Sequence, residues 1–338
     1  MRTPAPQKAL TGLLDQNKRF ALDAKGTTNH CPMALVALAR MGAPDERLHA
    51  FFEHWALKYA IVETQAGAAT ADGDWLAHLG SAAAFSALQR YFSESIGEKG
   101  AAAVICDVVS RAPFAPATGA FHAIIRLAYG IEAGHPGEMA AGLAAYVAIN
   151  LPIELEGNGR QAAQSVNDGL AALSARFSGS SWEGGPITAQ LKGIAADPKF
   201  RETLPMPPAV PRLLDDMARA AIELYWQKAD FTVLHMVTGM HAVRVLLAAL
   251  PETLGHQLLV STWPAFCAAY VSVGAPALRA MDPPDIEADW PGIFRHAVGS
   301  DNDHVIKMAY TCFEESKRYP GSPYYLAAAS RIAKSGRN

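Results

Sequence analysis

Histidine is the residue type most able to do chemistry in this sequence, which holds eleven among 338 residues of which only 18% are charged. Four histidines lie at expected helix starts or within apolar helical segments: His30, His122, His235 and His304. A polar ring in such a setting needs a partner, and imidazoles from separate helices are how helical proteins build metal centres. The four are therefore candidates for one metal site. Their long spacings form no local motif, so the sequence leaves their convergence open.

A lysine accompanies the last of these histidines in the segment Asp303-His304-Val-Ile-Lys307. The i, i+3 spacing places the imidazole and the amine on one helix face. Asp301 and Asp303 precede this helix and are interpreted as capping residues, with Asp303 as the predicted N-cap.

The remaining seven histidines have less distinctive settings. Six of them are predicted to lie on the surface, at a helix cap or in a turn: His49, His54, His78, His135, His256 and His296. His135 precedes Pro136 and is predicted to cap a helix or lie in a turn. His241 lies six residues after His235, about 240° around a helix, so it is expected to face elsewhere.

Other motifs that carry chemistry are missing. The four cysteines form no CxxC pair, which argues against a zinc ribbon or a disulfide scaffold and favours a reducing cytoplasm. The chain has no GxGxxG, GxxxxGKS/T, GxSxG or HExxH motif. A Rossmann unit would also need alternating strands and helices, which the sequence does not predict.

The elements that must position these residues are predicted to be helices, because apolar residues recur three and four apart. The clearest segments are Met33–Met41, Glu46–Ala60, Trp75–Phe92, Phe121–Glu132, Gly137–Asn150, Val210–Lys228, Phe231–Leu250 and Val305–Arg318. The run 102–109 fits a strand or a buried helix. We predict an all-α fold with the metal site in its core, as one large domain over 1–338. A division of this domain into two lobes near 205–211 stays open. The Gly/Ser-rich loop 178–186 could be a lid, but an ordinary surface loop is the favoured interpretation.

Composition excludes several partners. With 29 basic and 32 acidic side chains, a net charge of −3 and no basic block, nucleic acid is not expected. No apolar run approaches the roughly 18 residues of a membrane span, and residues 1–20 lack the apolar core of a signal peptide. These features predict a soluble, cytoplasmic protein without a membrane partner. A homodimer is only a default expectation.

Four segments together resemble the questin oxidase-like family, which includes fungal enzymes of anthraquinone metabolism. They occur in the family's order from residue 29 to residue 307: Asn29-His-Cys-Pro-Met33, Phe121-His-Ala-Ile-Ile-Arg-Leu-Ala-Tyr-Gly-Ile-Glu132, Asp230-Phe-Thr-Val-Leu-His-Met-Val-Thr238 and Asp303-His-Val-Ile-Lys307. The chain is shorter than the fungal members, which leaves the substrate less defined than the metal.

The resemblance implies a mostly helical enzyme with one non-haem iron, held by four histidines and by a lysine carboxylated on its amine. Such an enzyme uses O₂ to break a ring carbon–carbon bond in an anthraquinone-like aromatic substrate. Carried onto this sequence, the imidazole ligands would be His30, His122, His235 and His304, and Lys307 would be the carboxylated ligand. His241 falls outside the matched part of its segment.

The implied chemistry suits these residue types. Neutral imidazoles bind Fe(II) or another divalent metal, and a carbamate oxygen would supply an anionic ligand. Carboxylation needs an uncharged amine, which burial of Lys307 would promote. Two catalytic roles follow less directly. Arg126, one turn beyond His122, could bind an anionic phenolate or pair with Glu132. Glu132 could face the same cavity as the metal ligands, or it could be a surface or capping carboxylate.

Two alternatives stay open at this point. One is a Baeyer-Villiger-type monooxygenase linked to NADPH, which the missing dinucleotide motif does not favour. The other is a helical protein that binds a hydrophobic small molecule without turnover and uses its histidines as core residues.

Overall fold

The computed structural model describes residues 8–63, 74–155, 160–182, 185–279 and 286–335, and these ranges confirm the predicted all-α fold. Numbered along the chain, the helices are α1 Lys8–Asn17, α2 Cys31–Arg40, α3 Asp45–Tyr59, α4 Phe85–Lys99, α5 Ala101–Arg111, α6 His122–Ala133, α7 Pro136–Ala148, α8 Val166–Phe177, α9 Ile187–Ala196, α10 Pro198–Thr203, α11 Leu213–Gln227, α12 Phe231–Ala249, α13 Glu252–Ser272, α14 Trp290–Gly299, α15 Asp303–Ser316 and α16 Tyr324–Ser335. Short 3₁₀ helices span Trp75–His78 and Ala82–Ala84. Among these residues the only sheet is an antiparallel hairpin of β1 (Asp23–Ala24) and β2 (Thr27–Thr28).

Helices α6, α7 and α12 form the centre of the molecule. Every residue of α7 is buried except its first, Pro136. Helix α12 is the one described helix whose length and apolar composition would suit a membrane span, but 72% of that stretch is buried inside the fold. Burial on all sides is the ordinary state of a core helix in a globular protein.

Small residues let the central helices approach closely. A Cβ atom added to Gly142 of α7 would lie 2.6 Å from the Leu127 backbone of α6. The crossing of α6 and α7 therefore requires glycine at this position, because a larger residue would force two buried helices apart.

Four helices pack in a closed ring. Helix α2 contacts α6, α6 contacts α12, α12 contacts α15, and α15 returns to α2. These are the helices that carry the four candidate histidines, as the N-cap residue of α2 and near the first turns of α6, α12 and α15. The ring is therefore the part of the fold that positions the site.

Two local predictions are settled by the structure. The run 102–109, which fitted a strand or a helix, lies within α5. The N-cap of α15 is Asn302 rather than the predicted Asp303, because the Asn302 side chain accepts hydrogen bonds from the backbone N–H groups of His304 and Val305. Of the loop 178–186, residues 183–184 lie outside the described residues, so its lid role stays a prediction, as does the lobe division near 205–211.

Candidate metal centre

The starts of four helices bring four imidazoles together. His30 is the N-cap of α2, His122 is the first residue of α6, His235 is the fifth of α12 and His304 is the second of α15. The ring centroids lie 4.5 Å apart for His30 and His122, and 4.6 Å apart for His122 and His235. His304 closes the group, with its ring 4.8 Å from that of His30 and 5.5 Å from that of His235.

Each imidazole directs its Nδ1 atom at an oxygen acceptor. Nδ1 of His122 contacts the Gly119 carbonyl, and Nδ1 of His235 lies 2.7 Å from the Phe231 carbonyl. Nδ1 of His30 and Nδ1 of His304 lie 3.1 Å and 2.6 Å from the same carboxylate oxygen, Oδ1 of Asp303. Because carbonyl and carboxylate oxygens only accept, Nδ1 is the protonated nitrogen in all four rings.

The Nε2 atoms are consequently unprotonated acceptors, and that of His122 faces those of His30 and His235. Nε2 of His122 lies 2.7 Å from Nε2 of His30 and 3.1 Å from Nε2 of His235. Nε2 of His304 is buried without a hydrogen-bond partner. Two lone pairs at these distances repel unless a cation lies between them, and ligand atoms on one metal ion are about 3 Å apart when the metal–nitrogen bonds are about 2.1 Å. The residues thus fit a shared metal ion.

The site keeps its imidazoles neutral. Burial and then the charge of Lys307 lower the pKa of His30 to about 4. Burial, followed by the neighbouring histidines and Lys307, holds the pKa values of His122 and His235 well below the usual range. Burial and Lys307 also lower the pKa of His304. Neutral imidazole is the form that binds a metal.

Asp303 is a member of the site that sequence reasoning assigned only to a helix cap. Its Oδ1 atom is the shared acceptor for His30 and His304. Burial would raise the pKa of this carboxyl, but His30, Lys307 and His304 hold it well below its usual range. Asp303, His30 and His304 can also offer three ligand atoms within 4.8 Å of one another. We infer that Asp303 orients the two imidazoles and does not itself bind the metal, because metal-binding imidazoles commonly donate their other N–H to a carboxylate.

Lys307 is buried beside the histidines. It is 2% exposed, and its Nζ lies 3.9 Å from Oδ1 of Asp303. Burial lowers the pKa of this amine to about 8, with Asp303 opposing the shift. Its charge contributes to lowering the pKa of all four imidazoles, and its position three residues after His304 places it on the same face of α15.

The backbone that leads into His122 has an unusual conformation. Gly119, Ala120 and Phe121 follow one another in the left-handed region, with φ values of 59°, 55° and 69°. Alanine and phenylalanine rarely adopt such angles, and strained backbone of this kind clusters at functional sites. A Cβ atom on Gly239 of α12 would lie 2.9 Å from the Phe121 ring. The packing of Phe121 on this glycine therefore supports the strained turn that aims His122.

A cleft of about 540 Å³ opens onto His30 and His122. Its wall combines the β1–β2 hairpin, the turn before α6, the start of α9 and the first residue of α12, and its described lining is Asp23, Gly26, Thr27, Thr28, Gly119, Ala120, Gly185, Pro186, Ile187, Thr188, Gln190 and Phe231 besides the two histidines. This volume lies within the range of roughly 300–1,000 Å³ typical of small-molecule sites.

The predicted catalytic residues Arg126 and Glu132 lie elsewhere. Arg126 is 3% exposed and donates to Glu138 of α7 at 2.8 Å, so the predicted alternative of a pair with Glu132 is wrong. Positions 126 and 132 are six residues apart and thus face different sides of α6. Glu132 lies ten residues, or about 15 Å, along α6 from His122. Neither is among the described residues of the cleft, and their catalytic roles stay predictions.

His241, which the sequence predicts to face away from His235, belongs to a separate ionic network. Its Nδ1 lies 2.9 Å from Glu315 and its Nε2 lies 3.3 Å from Glu132. Tyr310 donates to the same Glu132 oxygen at 3.0 Å, and Arg244 binds Glu315. Burial alone would lower the pKa of His241, but Glu132 and Glu315 raise it to about 10.

The remaining histidines take ordinary positions. The predicted cap role of His135 is confirmed, since its side chain accepts from the backbone N–H of Glu138 at the start of α7. His49 and His256 are exposed, while His54, His78 and His296 are partly exposed.

Comparison with known proteins now identifies the family. The family model described as questin oxidase-like matches residues 27–312. This range includes all four converging histidines and Lys307. A search of curated proteins finds no match to the chain.

Proposed function

The chain belongs to the questin oxidase-like family, and from that premise we propose that it is a non-haem iron-dependent oxygenase. Its co-substrate would be O₂ and its substrate a polycyclic phenol or anthraquinone-like molecule that undergoes oxidative ring cleavage. The family supports an oxygenase-type oxidoreductase. The metal, the substrate class and the ring cleavage are our proposal.

One observation carries the metal assignment. Nε2 of His122 faces those of His30 and His235 with no proton to share, and Nε2 of His304 is buried without a partner, while each Nδ1 lies against an oxygen acceptor. A core packed only for stability would not leave acceptor nitrogens facing each other, because each lost hydrogen bond in a buried place costs about 1–3 kcal/mol. A divalent cation satisfies all four at once. We assign the metal to His30, His122, His235 and His304.

Lys307 would complete the site as its anionic ligand. A buried ammonium beside a divalent cation is repulsive, whereas the neutral amine can add to CO₂ to form a carbamate with loss of one proton. The positive ends of helices α2, α6, α12 and α15 lie near the site and favour an added negative charge there. The outer carboxylate of Asp303 then holds two imidazoles in the orientation that binding requires.

The remaining residues provide the setting for the reaction. An iron ion bound here would supply the site for O₂ and for the substrate oxygen. The chain's own contribution is to keep the imidazoles neutral and oriented, to bury three of the five ligand side chains to about 2% exposure or less, and to open one cleft toward His30 and His122. An aromatic phenol can enter through this cleft.

Metal analysis tests this proposal. Protein purified without chelators is expected to contain about one iron, or another divalent metal, per chain. His122→Ala and His235→Ala are expected to lose most of that metal while they keep the helical circular dichroism of the parent. His49→Ala, which changes an exposed histidine outside the site, is the matched control and should keep the metal.

Activity separates an enzyme from a binding protein. Metal-loaded protein given a hydroxyanthraquinone should consume O₂, and His122→Ala should not. Equal metal content in the parent and in His122→Ala would refute the proposed metal centre. Metal without O₂ consumption on any phenolic polycycle would favour the non-catalytic alternative.

A further inference from the structure

Phe231 is a large apolar side chain that the fold leaves exposed in the cleft. It is the first residue of α12 and is 52% exposed. Among the described residues, the large hydrophobic side chains with comparable exposure are Leu57, Ile61 and Val62, and none of these three lines the cleft. An aromatic ring gains by leaving water, so an open ring face inside a cleft is suited to a ligand that covers it.

The ring lies directly against two candidate metal ligands. Its centroid is 4.7 Å from that of His235 and 4.5 Å from that of His304. Phe231 therefore separates these two imidazoles from the cleft, while His30 and His122 line the cleft themselves. A planar molecule placed on Phe231 would lie in the same cleft as His30 and His122.

The side chain of Phe231 is not needed to orient its neighbour. Nδ1 of His235 donates to the Phe231 carbonyl, a backbone atom that every residue at this position retains. Removing the ring thus leaves the hydrogen bond that aims His235 in place. This separates a role in ligand binding from a role in metal binding.

The charge of the cleft lining restricts what can bind. Among its described residues Asp23 is the only acidic side chain, and neither lysine nor arginine is present. The other polar side chains away from the histidines are uncharged: Thr27, Thr28, Thr188 and Gln190. An anionic group on the outer part of a ligand would face Asp23 without a cation to pair with it.

We propose that Phe231 is the platform on which the aromatic substrate stacks, and that the cleft selects substrates without a carboxylate or phosphate on their outer rings. This deepens the proposed function and relies on it for the aromatic class of the substrate. Phe231 acts as a specificity-determining residue, and Asp23 excludes anionic substituents.

Binding measurements on the metal-containing protein test the platform. The probes are a neutral dihydroxyanthraquinone and the same ring system bearing a carboxylate, with binding followed by the visible absorbance of the probe. Phe231→Ala is expected to weaken binding of the neutral probe about tenfold, and Phe231→Trp to retain it. Leu57→Ala removes an even more exposed apolar side chain outside the cleft and should leave the dissociation constant unchanged.

The second probe tests the charge selectivity. Wild-type protein should bind the carboxylated ring at least about tenfold more weakly than the neutral ring, and Asp23→Asn should reduce that difference. Equal affinities for the two rings would overturn the selectivity.

Metal content distinguishes the failure of this inference from failure of the proposed function. Phe231→Ala should keep the metal of the parent. If it keeps the metal and still binds the neutral probe with parental affinity, the platform is wrong while the metal centre stands. If it loses metal together with binding, Phe231 supports the ligands rather than the substrate, and the platform is again wrong. A parent without metal would instead refute the proposed function.

Discussion

At the residue scale, Asp303 connects two imidazoles through one carboxylate oxygen. An ionised carboxylate is the only side chain that can accept from both Nδ1–H groups without carrying a donor of its own. Asn302 caps the helix, which leaves the Asp303 side chain free for this task. The orientation of His30 and His304 therefore depends on Asp303.

Asp303→Asn tests this dependence. The amide keeps one oxygen that can still accept, but it removes the negative charge that strengthens both hydrogen bonds from the imidazoles, and metal affinity is expected to fall about 10–100-fold. A competition titration with a chromophoric chelator measures this. Asp301→Asn is the control, because the Asp301 side chain is 50% exposed and pairs with Arg47. Equal losses for the two variants would show that the effect does not depend on the Asp303 contacts.

Lys307 gives a second prediction at this scale. Lys307→Ala is expected to lower metal content strongly, since it removes the proposed carbamate ligand, and added acetate or propionate should restore part of it by supplying a carboxylate in the vacated space. Lys317→Ala, at an exposed lysine that follows the same helix as its C-cap, should keep its metal without additives. Restoration by a small amine but not by a carboxylate would show that the unmodified amine is the functional group.

The site residues could be predicted only in part from the sequence. His30, His122, His235 and His304 were identified by their apolar helical settings together with a family resemblance, and the structure places their rings together. Asp303 was misassigned because Asn302 and Asp303 are both good capping residues, and only the packing of α15 against α2 decides which of them caps. Asp303 lies four residues before Lys307 and so shares its helix face, and this spacing is the sequence feature that could have placed Asp303 in the site.

At the element scale, the site depends on how closely the central helices pack. Helical periodicity predicted α6 and α12 nearly to their ends, because that pattern is local. The ring of α2, α6, α12 and α15 could not be predicted, because the contacts that close it join segments more than 200 residues apart along the chain, as between His30 and Asp303, which are 273 residues apart.

The crossing of α6 and α7 gives a stability prediction. Gly142→Ala is expected to destabilise the protein by about 1–3 kcal/mol, because the new methyl group meets the Leu127 backbone. Gly97→Ala in α4 is the matched control: a Cβ atom there meets nothing within 4 Å, so helix propensity should stabilise the protein by about 0.5–1 kcal/mol. Denaturant unfolding measures both. Equal effects would mean that backbone propensity, and not the crossing, controls this position.

At the scale of the whole molecule, a second buried network joins α6, α12 and α15 further along their length. His241 of α12 joins Glu132 of α6 to Glu315 of α15, and Arg244 adds Asp215 of α11. The candidate metal centre lies at the starts of α6, α12 and α15, and this network lies further along each of them. The three helices are thus fixed at two levels.

The network predicts a pH dependence of stability. The pKa of His241 is raised to about 10 in the folded chain, above its ordinary value of 6.5. Its protonated form therefore contributes fully below about pH 6.5, and the contribution is lost as the pH rises through about 10. The difference in unfolding free energy between the parent and His241→Gln should shrink from pH 7 to pH 10, by on the order of 1 kcal/mol per pH unit. A difference that is constant with pH would contradict the assigned charge, and His49→Gln should show none.

The proposed metal ion among His30, His122, His235, His304 and Lys307 can be located by an anomalous difference map at the iron absorption edge. We expect a single peak within bonding distance, about 2.0–2.3 Å, of the four Nε2 atoms, with electron density for a carboxyl group extending from the Lys307 amine. A peak bound through Asp303 in place of the Nε2 atoms, or metal-containing crystals with no peak among the four imidazoles, would contradict it.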